Sequence, residues 1–310
     1  MITTVCLNAC IDKTVKIESL KVGGLNRIIE TIIDGSGKGV NVAIASQQLD
    51  IHANCIGLLY RKNGDIIHNR LTENHVGVDF HWSDGEVRTN LKIADQKNGI
   101  ITEINEKGVA ITDGQKMYIR EKVKEYAIHS DILVFTGSLP PGCPTNFYQE
   151  LIQEVADYPV KCILDAEGEI LLKGIYAKPF LIKPNDYELE MITGCKLHSS
   201  MDIVHAALLF IEKGVKIVAV SMGGEGAIIT DGKEAYYAPV ISVHVKSTVG
   251  AGDSMVAGFC KAIESNLPLI EMFRYGVAAA TASVMTEGTQ LIDRGHFENL
   301  LKMVVIKKLM

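Results

Sequence analysis

The stretch Ser247-Thr248-Val249-Gly250-Ala251-Gly252-Asp253-Ser254-Met255-Val256-Ala257-Gly258-Phe259 says most about chemistry. Its small residues let successive backbone N–H groups converge at a helix N-terminus, where the helix dipole also favours an anion. Asp253 closes that run, positioned to take a proton from a hydroxyl beside a phosphoryl group in transfer. The same residues also allow a structural reading, in which the glycines permit close helix packing and Asp253 is an N-cap. Taken alone, the segment leaves the two readings level.

A second glycine cluster, Asp34-Gly35-Ser36-Gly37-Lys38-Gly39-Val40-Asn41-Val42-Ala43, opens the first convincing helix. Its spacing is not G-x-G-x-x-G, and the chain has no G-x-x-x-x-G-K-[ST], so neither the dinucleotide turn nor the P-loop is met. A loop that brings backbone close to a small polar ligand fits better. Lys38 is placed to reach an anion and Asn41 to hold hydroxyls, with a solvated lysine as the ordinary alternative.

The elements that must position these residues follow from periodicity. Thr4–Leu7, Ile132–Phe135, Val160–Leu164, Phe180–Ile182 and Val215–Val220 are short β-rich apolar runs that read as buried parallel strands, and Ile241–Val245 reads as a strand leading to the glycine segment. Gly39–Leu49, Pro144–Ala156, Tyr187–Thr193 and Met201–Lys213 have helical apolar spacing. The alternation predicts α/β architecture, a doubly wound, mainly parallel sheet flanked by helices. Two insertions, about 13–33 and 76–104, instead alternate apolar and polar residues around Asp84-Gly85 and Asn98-Gly99, which predicts antiparallel hairpins. They are expected to form a small β-sheet lid on a single domain spanning 1–310.

Composition bounds the rest. The 310 residues are 47% hydrophobic and 22% charged, enough apolar mass for a core and too much for wholesale disorder. Acids exceed bases 37 to 31, and the basic residues are scattered, which argues against a nucleic-acid partner. The seven cysteines have no metal-ligand spacing and read as buried free thiols. The N-terminal residues lack a basic leader region, and no apolar run approaches the roughly 18 residues that span a bilayer. A cytoplasmic protein without a membrane partner is expected.

The motifs together resemble the ribokinase-like carbohydrate kinases of the PfkB type, and within them the 1-phosphofructokinase and tagatose-6-phosphate kinase group. The resemblance rests on Leu7-Asn8-Ala9-Cys10-Ile11-Asp12, Asn26-Arg27, Gly37 to Ala43, Arg88-Thr89-Asn90, Thr136 to Gly142, Lys183-Pro184-Asn185-Asp186-Tyr187-Glu188, Ser221 to Ala227, and Gly250 to Asp253. Each is weak alone; their order along nearly the whole chain is specific.

The resemblance implies Asp253 as catalytic base and Gly250, Ala251 and Gly252 as the anion hole for the γ-phosphate of ATP. It implies Asp12, Gly37, Lys38, Asn41 and Ser138 as sugar contacts. Arg27 and Arg88 match positions that grip the phosphate already on a sugar phosphate, where planar guanidinium forks suit phosphate oxygens. Asn185 and Glu188 match an N-x-x-E pattern that implies Mg²⁺ organised through water, with an exposed first-turn acid as the alternative for Glu188. Lys183, Ser221, Gly223 and Gly226 fall on the nucleotide side, and Ala280, Ser283 and Gly288 resemble an adenine-side wall. Departures occur at Asn8-Ala9-Cys10, where Asn-Pro-Ala is usual, at Ser36-Gly37, where two glycines are typical, and at Leu49-Asp50, where glycine is common.

The implied activity is an ATP-dependent sugar-phosphate kinase converting fructose 1-phosphate to fructose 1,6-bisphosphate. Tagatose 6-phosphate is the alternative substrate, and a non-catalytic sugar-binding protein is the alternative role. A dinucleotide-dependent oxidoreductase would need G-x-G-x-x-G after the first strand, where Leu7-Asn8-Ala9-Cys10 stands. A lid sheet with Val15, Ile17, Leu91 and Ile93 or their neighbours exposed predicts a homodimer joined through the lids.

Overall fold

The buried apolar runs pair into a central sheet in the computed structural model, which describes residues 1–310. The chain begins with β1 (Ile2–Cys6), β2 (Cys10–Ile17), β3 (Glu30–Ser36), α1 (Lys38–Gln48), β4 (Ala53–Lys62), α2 (Gly64–Glu73), β5 (Gly77–Glu86), β6 (Arg88–Asp95) and β7 (Ile100–Asn105). It continues through α3 (Asp113–His129), β8 (Ile132–Thr136), α4 (Phe147–Glu154), β9 (Lys161–Asp165), α5 (Gly168–Gly174), β10 (Leu181–Ile182), α6 (Asp186–Thr193), α7 (Ser200–Glu212) and β11 (Ile217–Ser221). Last come β12 (Ala227–Thr230), β13 (Ala235–Ala238), α8 (Ala251–Glu264), α9 (Leu269–Val284), α10 (Arg294–Met303) and β14 (Lys307–Lys308).

Ten strands form the main sheet in the order β14-β13-β12-β11-β10-β9-β8-β1-β4-β5. From β11 to β5 neighbouring strands run parallel, and β12, β13 and β14 add an antiparallel edge. A parallel sheet needs cover on both faces, and the alternation of side chains supplies two cores. Ile132 and Val134 of β8 join Val40, Val256, Phe259 and Phe273 on one face, while Leu133 and Phe135 join Ile119, Tyr148, Leu151 and Phe210 on the other.

The second, separate sheet, β3-β2-β6-β7, draws most of its strands from the two insertions expected to form a lid. β6 and β7 form the antiparallel hairpin expected at Asn98-Gly99, where Gly99 has φ +65°. The other turn is corrected. β5 lies at the edge of the main sheet, parallel to β4, so Asp84-Gly85 leads from one sheet into the other rather than making a hairpin. β6 then pairs parallel with β2, and only β2–β3 and β6–β7 are antiparallel. Ile241–Val245 also departs from expectation and forms no strand. The nearby edge of β13 is taken by β14, which leaves this segment without a ladder.

The lid's exposed surface differs too. Val15 and Ile17 are buried, at 6% and 3% exposure, because β2 is a central lid strand. The exposed apolar residues belong to the outer strands, with Ile33 at 53% and Ile104 at 56%.

α8 and α9 pack closely through glycine. A Cβ on Gly258 would lie 2.4 Å from the Tyr275 carbonyl oxygen, and one on Gly276 would lie 2.2 Å from the Phe259 ring. No helix is long and apolar enough to cross a membrane.

Candidate active site

Parallel α/β sheets bind ligands beyond the carboxyl ends of their strands, and the predicted residues gather there. A polar cavity of about 390 Å³ lies between β1, β8, α1 and the lid, lined among others by Asp12, Gly37, Lys38, Asn41, Arg88, Ser138, Gly250 and Asp253. Beside it is an apolar cleft of about 410 Å³, lined by Ser221, Gly223, Gly226, Val243, Met255 and Ala280 among others. The start of α8 divides the two. Gly250 lines the polar cavity, whereas Ala251 and Gly252 line the cleft.

The structure removes the N-cap reading of Asp253. The N-cap of α8 is Gly250, in the left-handed region at φ +78°, and Asp253 lies inside the first turn. Its carboxylate makes no cap: Oδ2 accepts from Asn41 Nδ2 at 2.9 Å. The backbone N–H groups of Gly252 and Asp253 have no hydrogen-bond partner, as expected for the first turn of a helix. Close packing accounts for Gly258 and also bears on Gly250, where an added Cβ would lie 2.5 Å from Leu291 Cδ2, while one on Gly252 would lie 3.3 Å from Lys183 Nζ.

Around Asp253 the charges alternate. Burial, reinforced by the Asp165 carboxylate, pushes the Asp253 carboxyl up to about 6, against the opposing pull of Lys38, the Asn41 hydrogen bond and Lys183. Asp165 is also buried, which favours its neutral form, yet Lys183 and Lys38 together hold it below the usual carboxylate range. Its Oδ1 lies 3.3 Å from Lys183 Nζ, and Oδ2 accepts from Thr136 Oγ1 at 3.1 Å. Lys38 is held more basic than usual, chiefly by Asp165, and its Nζ is also 3.2 Å from Glu167. Two cations and an acid of raised pKa thus face one helix N-terminus, an arrangement that suits a general base beside a phosphate.

On the lid side, Asp12 Oδ2 pairs with buried Lys92 at 3.0 Å, and its Oδ1 accepts from Asn90 Nδ2 at 3.1 Å. Arg88 is fixed by the Asn8 carbonyl at 3.0 Å, Asn90 Oδ1 at 2.8 Å and the Glu106 carbonyl at 3.1 Å, which leaves Nη2 free at the cavity. Ser138 Oγ accepts from Asn8 at 3.1 Å.

Asn185 and Glu188 form a reciprocal capping box on α6: Asn185 Oδ1 accepts from Glu188 N at 2.7 Å, and Glu188 Oε2 accepts from Asn185 N at 2.8 Å. Burial raises the Glu188 carboxyl. Glu188 Oε1 remains free and Asn185 Oδ1 keeps a second lone pair, oxygens that suit acceptance from the water of a hard cation, whereas the Asn185 NH₂ only donates.

Three predicted residues are not brought to the site. Arg27 is exposed in the loop between β2 and β3 and lines neither cavity. Gly288 is not part of the adenine-side wall; it lines a separate cavity with Arg70 and Asp34. Ser283 is fully buried behind Gly250 rather than in the apolar cleft, where only Ala280 of the three proposed wall residues is found. Sequence reasoning missed Asp165, Asn90, Lys92, Glu103 and Asn105, of which the last four line the polar cavity. A carboxylate ending a buried parallel strand was the available signal for Asp165.

Comparison with known proteins places the chain in a family. Residues 5–294 match the family model described as pfkB family carbohydrate kinase. A 1-phosphofructokinase of Bacillus subtilis is 34% identical over 309 residues, covering 100% of both chains. Among solved structures, a putative phosphofructokinase from Staphylococcus aureus has a TM-score of 0.84 and 32% identity, covering 100% of this chain and 99% of that one. Phosphofructokinase-2 from Escherichia coli, in complex with substrates and products, has a TM-score of 0.92 and 29% identity, covering 98% and 99%.

Proposed function

The chain belongs to the pfkB family of carbohydrate kinases, phosphotransferases with an alcohol acceptor, and we propose that it carries a phosphoryl group from ATP to the 6-hydroxyl of fructose 1-phosphate. The observation that carries this reading is the placement of Asp253 and the unpartnered amides of Gly252 and Asp253 at the wall between a polar and an apolar cavity. Adenine occupies the apolar cleft, and the sugar phosphate occupies the polar cavity among Asp12, Gly37, Lys38, Asn41 and Ser138.

Asp253 accepts the proton of the 6-hydroxyl as its oxygen bonds to the γ-phosphorus and the bond to the β-γ bridging oxygen breaks, giving ADP. The unpartnered amides of Gly252 and Asp253, with Lys183, stabilise the migrating charge, while the Ala251 N–H is engaged by the Thr248 carbonyl. Asn185 and Glu188 would hold Mg²⁺ through water, and the cation would supply neutralisation of phosphate charge.

Arg88 takes the substrate's existing phosphate, supported by its free Nη2 and by the bonds that hold its guanidinium in place. Arg27 reaches that phosphate only from the lid of a partner subunit or after its loop moves. A homodimer joined through the lids is part of the reading, supported by the exposed isoleucines on the outer lid strands. The seven unpaired thiols, five of them buried, suit a reducing cytoplasm.

Replacing Arg88 by Ala tests the substrate class: KM for fructose 1-phosphate should rise by roughly tenfold or more while KM for ATP stays within about twofold. Free fructose proving the better substrate of the unmodified enzyme would overturn the sugar-phosphate assignment, and preference for tagatose 6-phosphate would reassign the sugar.

A further inference from the structure

Arg70, on α2, lies outside the substrate cavity yet touches three parts of the machinery. Its Nη1 donates to the carbonyl of Gly35 at the end of lid strand β3 and, at 3.3 Å, to Asn41 Oδ1; its Nη2 donates to the carbonyl of Thr289. Asn41 in turn donates from Nδ2 to Asp253. An arginine can only donate, so its presence obliges the Asn41 amide to turn its oxygen toward α2 and its NH₂ toward the carboxylate. A flipped amide would set oxygen against Asp253 and NH₂ against guanidinium, both repulsive.

The other two contacts make the same side chain a brace. Gly35 sits so close to α2 that a Cβ there would lie 2.8 Å from the Ile67 Cα, so the lid strand ends directly on this helix. Thr289 belongs to the loop after α9, and Leu291 of that loop packs against Gly250, where an added Cβ would lie 2.5 Å from Leu291 Cδ2. One guanidinium thus links the base of the lid, the amide that orients the base and the loop behind the anion hole. Burial lowers the Arg70 pKa, and Asp34, Asp12 and Asp253 offset that effect only in part.

We propose that Arg70 is a positioning residue of the transfer reaction, holding Asn41 so that its NH₂ faces Asp253 and fixing the lid strand relative to the anion-hole loop. This rests on the reading of Asp253 as the base. Besides Asn41, the groups that act on Asp253 are Asp165 from β9, Lys38 from α1, Lys183 beyond β10 and Arg70 itself. A hydrogen bond donated to a carboxylate favours its charged form, so loss of the oriented NH₂ moves the Asp253 titration upward.

The test is a double-mutant cycle with pH profiles of kcat/KM on the wild type, Arg70→Met, Asn41→Ala, the double variant and Arg70→Lys, with thermal midpoints as a check on folding. Arg70→Met should lower kcat by roughly tenfold or more, leave KM for ATP within about twofold, and move the acid limb to higher pH by roughly 0.5–1 unit. The shift of the acid limb should be clearly smaller in the Asn41→Ala background, because there is no amide left to orient, while the part of the kcat loss that comes from the unbraced lid strand and loop should persist there. Arg70→Lys should restore part of the limb position but not the fork to the two carbonyls. An unmoved acid limb, or an equal limb shift with and without Asn41, overturns the proposal. If Arg70→Met does not fold, Arg70→Lys decides: an intermediate upward shift supports the proposal and no shift overturns it. Asp253→Asn, measured alongside, separates the two readings, since wild-type turnover in that variant defeats the base assignment whatever Arg70 does.

Discussion

Lys183 and Asp165 form a buried ion pair, Nζ to Oδ1 3.3 Å, at the ends of neighbouring strands, and the same ammonium faces the backbone of Gly252, where an added Cβ would lie 3.3 Å from it. The pair keeps a cation beside the amides proposed to bind phosphate without leaving it uncompensated in the interior. It also sets the charge that Asp253 feels.

Asp165→Asn should therefore act twice. Removing one partner of a buried pair costs roughly 3–5 kcal/mol, so thermal unfolding should occur at markedly lower temperature. Any activity remaining should show an acid limb displaced to lower pH, because the Asp165 carboxylate is one of the causes that raise Asp253. Unfolding curves and a kcat/KM profile check both; an acid limb displaced upward would contradict the electrostatic account.

Asp253→Asn should be more stable than the wild type at neutral pH. The Asp253 carboxyl is raised to about 6 in the fold. Between its unfolded and folded values the native state binds more protons than the unfolded one, and stability falls as pH rises through that interval. Above it the penalty is complete, about 2–3 kcal/mol for a shift of this size. Denaturation at pH 7.5 and at pH 4 should show the variant's advantage at the higher pH and its disappearance at the lower.

Ala280 lines the apolar cleft. Ala280→Phe should fill part of the adenine space and raise KM for ATP by roughly tenfold, about 1.4 kcal/mol, with KM for the sugar phosphate nearly unchanged. Steady-state kinetics against each substrate separate the two cavities; a selective loss of sugar affinity would exchange their assignments.

Lysine at both Ile33 and Ile104, exposed at 53% and 56% on the outer lid strands, should convert the proposed dimer to a monomer at micromolar concentration. Light scattering on the wild type and this double variant reads the change directly. A wild-type monomer, or a dimer indifferent to the two charges, would remove the lid interface.

How much of this was legible in the chain depends on whether the signal was local. Ile132–Phe135 announced a buried strand because every residue in it is apolar and bounded, and the glycines before Asp253 announced a helix start because only small residues allow that backbone. Asp84-Gly85 misled because a turn dipeptide records a change of direction without saying which sheet receives the next strand; β5 found its partner in β4, and β6 found its own in β2. Asp165 was silent because its importance lies in Lys183 and Lys38, brought to it only by the fold. Gly288 shows the reverse: small residues invite assignment to a ligand wall, and position alone put this one beside Asp34 instead.

The central claim is that Asp253 deprotonates the acceptor hydroxyl of a sugar phosphate at the wall between the two cavities. Initial rates of fructose 1-phosphate phosphorylation with ATP and Mg²⁺, measured for the wild type and Asp253→Asn with nucleotide binding followed in both, test it most directly. The account predicts turnover by the wild type, a fall on the order of 10² or more in the variant, and nearly equal ATP affinity. Near-wild-type turnover by Asp253→Asn, or no phosphorylation of any sugar phosphate by the wild type, would contradict it.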